Sequence, residues 1–498
     1  MNYHFPSLSL TGKTLILGMG ETGVAAAQWC LQQGAGELRL ADTRVGLAAS
    51  HNLKQRFPDR IELVEGDAAL QPEVLEQVVR IVISPGLSPL QAGIRELLAL
   101  AHTQSIQVMN EVELFALALR DLAGQGYTPK VIGITGTNGK TTVTQLTRHM
   151  LNACDRDVVV AGNISPATLS VLAQRMQAGS LPQVWVLELS SFQLHWLRSL
   201  EFHAATVLNL SQDHSDWHGS MEAYQADKAR IYTSAQTWVV NRDDSNRAAL
   251  VADFTSSNVR SFGLNTPLLG GDMGLQGVGP LQFLAYALAE SLHAEAQRQP
   301  AHQIDNLLEV SSLRLHGQHN LSNALAALAL AHSVCADWDA LLSALSTYEG
   351  EPHRMQWLRS CQGVGYINDS KGTNVGATVA ALTGLQQPVV LIAGGVGKGQ
   401  DFMPLAEALN KTSVRGVVVL GQDAARIQQV LNAADFPVVK VATLTEAVTQ
   451  AAELAQAGDV VLLSPACASL DMFANYQERG QCFAQCVEAL ALQAGEVV

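Results

Sequence analysis

Lys130-Val131-Ile132-Gly133-Ile134-Thr135-Gly136-Thr137-Asn138-Gly139-Lys140-Thr141-Thr142 is an apolar run that breaks into glycine, lysine and threonine, and a helical pattern follows through Leu151. A strand that enters a glycine-rich loop at a helix start aims successive backbone N–H groups at one spot, an anion nest at the positive end of the helix dipole. A loop lysine can reach outer phosphates and the hydroxyl beside it can ligate magnesium, so Lys140 and Thr141 predict a nucleoside triphosphate site. The loop departs from the G-x-x-x-x-G-K-S/T pattern, because Ile134 stands where the first glycine belongs. Strand, loop and helix in this order predict an α/β fold of mostly parallel strands, with ligands outside their carboxyl ends.

Downstream the alternation continues through Val158–Asn163, Val184–Ser191 and Thr206–Asn209, with Glu188 and His214 just beyond apolar strands. Glu188 sits where a P-loop enzyme places its magnesium-associated acid. His214 taken alone is a loop histidine, and the loop upstream turns it into a candidate ligand. Lys228, within Ala226-Asp227-Lys228-Ala229-Arg230, taken alone is a solvated helix lysine. Residues 263–315 are less regular and are expected to form an insertion at an edge. Gly317 to Asn323 is expected to cap an Ala/Leu-rich helix that runs to about Cys335, with Asn320 and Asn323 on one face.

Upstream, Lys13–Gly18 predicts a strand, Gly18-Met19-Gly20-Glu21-Thr22-Gly23 a glycine-rich turn, and the residues to Leu31 a helix, before a second strand at Leu38–Asp42. That G-x-G-x-x-G context binds a diphosphate: Gly18 and Gly20 admit it, Gly23 packs helix on strand, and Asp42 would take a ribose hydroxyl in a dinucleotide enzyme. A uridine diphosphate satisfies the same N–H groups, and a structural tight turn needs the same glycines. A third strand, Arg80–Ser84, ends in Pro85-Gly86. The last α/β unit starts near Glu351, and polar clusters follow three of its strands: Asp369 to Asn374, Gly394 to Lys398 and Ser464 to Asp471. Three domains result: a Rossmann-like domain over 1–110, a P-loop-type central ATPase domain over 111–350 and a Rossmann-like domain over 351–498.

A length of 498 residues suits three domains at roughly 100 to 200 residues each. No stretch gives roughly 20 unbroken apolar residues, so no membrane span is expected. The formal charge is −14, from 31 basic and 45 acidic side chains, and this field disfavours nucleic acid as a partner. Seven scattered cysteines predict buried thiols rather than a disulfide framework or zinc module. The first residues lack a secretory pattern, so the expected location is cytoplasmic.

T-G-T-N-G-K-T-T, G-N-I, E-L-S-S-F-Q-L, D-H, Y-x-x-x-K-x-R-I-Y, G-x-H-N, P-H-R, N-D-S-K-x-T-N and S-P-A-C-A-S-L-D, in this order, resemble the Mur ligases of peptidoglycan synthesis. The resemblance implies a monomeric enzyme that uses ATP to join D-glutamate to UDP-N-acetylmuramoyl-L-alanine through an acyl phosphate. By that resemblance Gly136, Thr137, Asn138, Gly139, Lys140, Thr141 and Thr142 hold the triphosphate, and Asn320, Asn323, Arg354, Asp369 and Lys371 surround the rest of ATP. Thr141 and Glu188 would hold one magnesium, and Glu188, His214 and a carbamylated Lys228 a second. Lys140, Glu188, His214 and Lys228 are the implied catalytic set. Gly18, Thr22, Thr43, Arg44, Gly86, Asn163, Ser190 and Gln193 match the uridine-diphosphate substrate site, and Lys371, Thr373, Lys398, Ser469, Leu470 and Tyr476 the glutamate site. The C-terminal domain is expected to close over ATP.

Two departures stand out. The family's D-H-L-D-R-H is Asp213-His214-Ser215-Asp216-Trp217-His218 here, and Tyr476 replaces a common phenylalanine. A sibling ligase shares the chemistry, but S-P-A-C-A-S-L-D and the lack of D-N-P-R favour the glutamate adder. A nicotinamide oxidoreductase would leave the Lys140 loop without a purpose, and a nonenzymatic nucleotide binder would need lesions in that loop.

Overall fold

The first sheet takes β1 (Lys13–Leu17), β2 (Leu38–Asp42), β3 (Ile61–Glu65), β4 (Val78–Ile83) and β5 (Gln107–Met109) in the order β3-β2-β1-β4-β5. All its pairings are parallel. The chain leaves β1 toward β2 and returns to β4 on the other side, which opens a crevice at the carboxyl ends of β1 and β4.

The second sheet is built from β6 (Lys130–Thr135), β7 (Val158–Gly162), β8 (Val184–Glu188), β9 (Phe202–Val207), β10 (Ala235–Asn241), β11 (Asn258–Phe262), β12 (Met273–Gln276), β13 (Phe283–Leu288) and β14 (Gln303–Glu309). Its order is β14-β13-β12-β11-β10-β9-β6-β8-β7. β6 runs parallel to both neighbours, β8 and β9, so the loops after these strands leave one edge of the sheet. β8 is buried at every residue, the pattern of a strand covered on both faces. The irregular segment 263–315 supplies β12, β13 and β14, with β12 and β13 antiparallel, and so widens the sheet at its edge.

The third sheet has β15 (Gln356–Cys361), β16 (Val364–Asn368), β17 (Val389–Gly394), β18 (Val414–Leu420), β19 (Val438–Lys440) and β20 (Val460–Leu463) in the order β15-β16-β20-β17-β18-β19. β15 pairs antiparallel with β16, and the other pairings are parallel.

This is a computed structural model that describes residues 3–8, 12–34, 36–250, 258–291, 295, 297–315, 317–385 and 387–496. The chain divides into two compact units, one of Met1–Gln276, Phe283–Leu307 and Leu325–Ala344, the other of Gly277–Gln282, Leu308–Ala324 and Leu345–Val498. Among the described residues no helix is long and apolar enough to cross a membrane. The expected cap at Asn320 and Asn323 is corrected: the helix Gln318–His332 has already begun, so both asparagines lie inside its first turns, where the Asn323 amide donates to Asn320 Oδ1 at 3.3 Å.

In the first unit one apolar core runs beneath both sheets, from Ile16 and Trp29 to Trp185 and Phe202. The helix Glu111–Ala123 links them, and its fully buried Phe115 meets Trp185 of β8 edge-on, with ring centroids 4.8 Å apart. Phe115→Ala should lower the unfolding free energy of this unit by about 3 to 5 kcal/mol, from lost burial plus a cavity, as read by chemical denaturation.

Candidate active site

The glycines of the first turn divide their tasks. Gly18 has φ 91°, and a Cβ there would stand 2.6 Å from Ser84 Cβ, whereas a Cβ on Gly23 would overlap the Gly18 carbonyl oxygen. Nothing lies within 4 Å of where a Gly20 Cβ would be, so the space above that peptide is open. Asp42 accepts from the Met19 N–H at 2.7 Å and from Arg44 Nε and Nη2 at 2.9 and 2.8 Å. Burial opposes its ionisation but is outweighed by the hydrogen bonds from Arg44 and Met19, which hold its pKa at about 2. Both carboxylate oxygens are thus engaged within the protein. Thr22, Thr43 and Gly86 follow β1, β2 and β4 on the same edge. The loop after β4 is fastened to the segment after β9, where Ser88 Oγ donates to the Trp217 carbonyl at 2.8 Å and Trp217 Nε1 to the Pro85 carbonyl at 3.1 Å.

At the edge of the second sheet, Gly136 has φ 151°, and an added Cβ would press on Leu208 at 3.0 Å. Gly139 is left-handed at φ 83° and forms the N-cap of the helix Lys140–Ala153. Lys140 Nζ donates to the carbonyls of Gly136 and Thr137, both at 2.9 Å. Lys228 Nζ donates to the same Gly136 carbonyl at 2.9 Å and to Thr135 Oγ1 at 3.1 Å. The reading of Lys228 as a solvated helix lysine is therefore corrected: it is 2% exposed, and its helix Met221–Thr233 presents it to the loop. Burial first, then the charge of Lys140, pushes its pKa well below the ordinary lysine value.

Glu188, the last residue of β8, accepts from Thr141 Oγ1 at 2.6 Å and from Asn163 Nδ2 at 2.9 Å. His214 is left-handed at φ 53°, 3.6 Å from Asp213 Oδ2, with its ring edge-on to Phe192 at 4.7 Å. Burial lowers its pKa, and Asp213 works against that shift. Ser190 and Gln193 form the capping box of the helix Ser191–Trp196, so their side chains bind each other's backbone. The fold thereby gathers Gly136–Thr142, Asn163, Glu188, His214 and Lys228 at one edge.

Several residues were not singled out from the sequence. Asn209 accepts from the Asn138 N–H at 2.9 Å and returns its amide to the Asn138 carbonyl at 3.0 Å, gripping the loop peptide from both sides. The Tyr224 hydroxyl lies 3.0 Å from Thr137 Oγ1. In the second unit, Arg479 donates to Ser370 Oγ at 3.0 Å, the Ser370 carbonyl at 2.8 Å and the Cys467 carbonyl at 3.1 Å, locking the loop after β16 to the loop after β20. Asn209 had a signal, a polar residue directly after a strand, but Arg479 lies in an amphipathic helix with nothing to mark it.

The remaining sequence candidates lie in the second unit. Lys371 Nζ stands over the Tyr476 ring, 3.9 Å from its centroid, a cation–π contact. Val396 and Ala468 exchange backbone hydrogen bonds of 2.8 and 2.9 Å, which draw the loop carrying Lys398 beside the one carrying Ser469 and the exposed Leu470. Asp369 accepts from Ser464 Oγ at 2.7 Å and the Met355 N–H at 3.2 Å. Arg354 lies within electrostatic reach of Asp369, and Thr373 is half-buried two residues past Lys371.

Parallel sheets with a lysine-bearing anion nest at a strand end define a P-loop-type, nucleotide-dependent enzyme. The chain belongs to the Mur ligase family: it matches the MurD-like N-terminal domain over 12–109, the Mur ligase middle domain over 134–331 and the glutamate ligase domain over 353–467. The UDP-N-acetylmuramoylalanine–D-glutamate ligase of Bordetella avium is 50% identical over 510 residues, covering 100% of both chains. The enzyme of that name from Cupriavidus pinatubonensis is 47% identical over 497 residues, covering 97% of each. Among solved structures, a UDP-N-acetylmuramate-alanine ligase from Thermotoga maritima superposes with a TM-score of 0.54 at 16% identity, over 96% of this chain and 99% of that one. MurF from Acinetobacter baumannii does so at 0.56 and 19%, over 77% and 82%. These two likenesses speak for the fold.

Burial raises the Asp369 pKa to about 6, partly opposed by the Ser464 hydrogen bond. A folded-state acid held above its ordinary value near 4 stabilises the protein below that pH, and the contribution fades as pH rises through 6. The parent should therefore lose about 2 to 3 kcal/mol between pH 4 and 6 that Asp369→Asn does not lose, as measured by denaturant midpoints across that range.

Proposed function

We propose that this chain joins D-glutamate to UDP-N-acetylmuramoyl-L-alanine at the expense of ATP, in peptidoglycan precursor synthesis. The carrying observation is the convergence of Lys140, Lys228, Thr141 and Glu188 on one strand-to-helix loop, in a chain 50% identical end to end to a ligase of that name. The reaction takes place in the cytoplasm and the working form is a monomer. The domains run over 1–110, 111–350 and 351–498.

A carboxylate is a poor acyl donor, so ATP must first convert it to an acyl phosphate, which the amine of glutamate then attacks with loss of phosphate. For the phosphoryl step the protein supplies position and charge rather than covalent chemistry. Gly136–Thr142 hold the triphosphate, with the N–H groups of Thr137 and Asn138 given to Asn209 and those at the helix start left to phosphate, and Lys140, tethered to two carbonyls, brings positive charge to the loop. Gly18, Thr22, Thr43, Arg44 and Gly86 take the uridine diphosphate, with Asn163, Ser190 and Gln193 further along the substrate. Asn320, Asn323, Arg354, Asp369 and Lys371 take the adenine nucleotide. Lys371, Thr373, Lys398, Ser469, Leu470 and Tyr476 take glutamate, whose two carboxylates suit two lysines.

Among the described residues no group of three or more His, Cys, Asp or Glu is arranged to hold a metal. Magnesium needs no such cage, since it binds through one or two carboxylates with water and phosphate oxygens completing the shell. The Thr141 hydroxyl and Glu188 carboxylate, 2.6 Å apart, are a fitting pair of hard donors. They would hold one ion, and Glu188, His214 and Lys228 a second. When bound, the ions neutralise charge on the transferred phosphoryl group. Lys228 would serve as a carbamate: its burial beside Lys140 favours the neutral amine, the form that adds carbon dioxide, and the product offers anionic oxygen.

Phosphate release from ATP should require both UDP-N-acetylmuramoyl-L-alanine and D-glutamate, and equal turnover with L-glutamate or with another amino acid would overturn the assignment. Lys228→Ala should lose at least about a hundredfold in kcat and regain part of it with millimolar short carboxylates, which restore an anionic oxygen. Unchanged activity, or no rescue, would remove the carbamate role.

A further inference from the structure

One buried carboxylate beside the loop is left unused by this mechanism. Asp227 precedes Lys228 and is 5% exposed. His195 Nδ1 lies 3.0 and 2.9 Å from its two oxygens, His218 Nδ1 lies 3.1 Å from Oδ2, and Arg230 Nε donates to Oδ1 at 3.1 Å. His218 is itself held at its far side, where Nε2 lies 2.9 Å from Ser191 Oγ. With Nδ1 carrying the proton, His195 donates to the carboxylate, while His218 stands at ion-pair distance from Oδ2 and its Nε2 accepts from the serine hydroxyl.

The partners come from three different segments. His195 and Ser191 belong to the helix Ser191–Trp196, which starts three residues after Glu188. His218 closes the short helix Ser215–His218, which His214 caps. Arg230 and Asp227 lie on the helix that carries Lys228. Asp227 thus ties together the segments bearing Glu188, His214 and Lys228. Its oxygens are engaged by the His195 ring and the Arg230 guanidinium, with the His218 ring beside them, rather than left free as ligands.

We infer that Asp227, with His195 and His218, is a positioning cluster that sets the spacing of Glu188, His214 and Lys228 for divalent metal. This rests on the metal role given to those three residues under the proposed function. A supporting shell of this kind commonly changes metal affinity by about 10- to 100-fold when cut.

The test is direct Mn2+ binding to the full chain with ADP present, followed by electron paramagnetic resonance, for the parent, Asp227→Asn and Arg230→Met. Asn keeps the shape of Asp but removes the negative charge and turns one acceptor oxygen into a donor, which weakens its hold on both imidazoles. The expected result is Mn2+ binding about tenfold or more weaker in Asp227→Asn and within twofold of the parent in Arg230→Met, whose ion pair is partly solvated. A merely structural Asp227 would lower the melting temperature and leave Mn2+ affinity unmoved, and that result overturns the inference. Should Asp227→Asn fail to fold, His195→Phe takes the same measurement, with several-fold weakening expected and an affinity within twofold of the parent overturning it. Phosphate release by the parent reports on the ligase reading separately, so a parent that turns over and an Asp227→Asn that binds Mn2+ normally would sink the cluster alone.

Discussion

The Gly136 carbonyl is the point on which the second-sheet site depends, because one oxygen accepts from both Lys140 and Lys228 at 2.9 Å. Two ammonium groups brought this close in a buried place repel each other. The cost is relieved by driving one of them, Lys228, toward its neutral form. The oxygen can face both amines only because Gly136 turns at φ 151°, with the segment after β9 packed where a side chain would be. The turn at Gly136 thus sets two amines on one carbonyl, and burial first, then Lys140, lowers the basicity of Lys228.

The same device recurs at three strand ends. A carboxylate or amide collects donors from neighbouring loops and so fixes their relative positions: Asp42 with Met19 and Arg44, Glu188 with Thr141 and Asn163, Asp369 with Ser464 and Met355. Arg479 does the reverse, with one guanidinium serving the loops after β16 and β20. Parallel sheets leave their functional loops without ladder hydrogen bonds, so such side-chain anchors must supply the order. Buried polar residues such as Asp42, Glu188 and Asp369 stand at or just past strand ends, and β17 is apolar and buried throughout.

Asp42 shows how the anchors also separate readings that a motif leaves open. A G-x-G-x-x-G turn with an acid after the second strand suits a dinucleotide, yet here both oxygens of that acid are engaged by Met19 and Arg44. Arg44 itself remains largely exposed at the crevice, which suits an anionic ligand. The segment 263–315, uninformative as a motif, finds its use in widening the second sheet.

The parallel core was legible from the amino-acid sequence because strands covered on both faces are largely apolar runs that break into glycine or polar residues, as β1, β6, β8, β17 and β20 do. Strands such as β3, β11 and β15 were not, since Ile-Glu-Leu-Val-Glu, Asn-Val-Arg-Ser-Phe and Gln-Trp-Leu-Arg-Ser-Cys mix polar residues into the run. The strand-to-helix loop was equally plain, because Gly136, Gly139 and Lys140 follow one another in local order along the chain. Asn209, Asp227 and Arg479 needed the tertiary structure, as did the burial of Lys228, which the family resemblance had already singled out. Their roles depend on which distant carbonyls, carboxylates and rings stand within about 3 Å, and burial, which turns Lys228 from a solvated cation into a suppressed base, is a property of the packed fold.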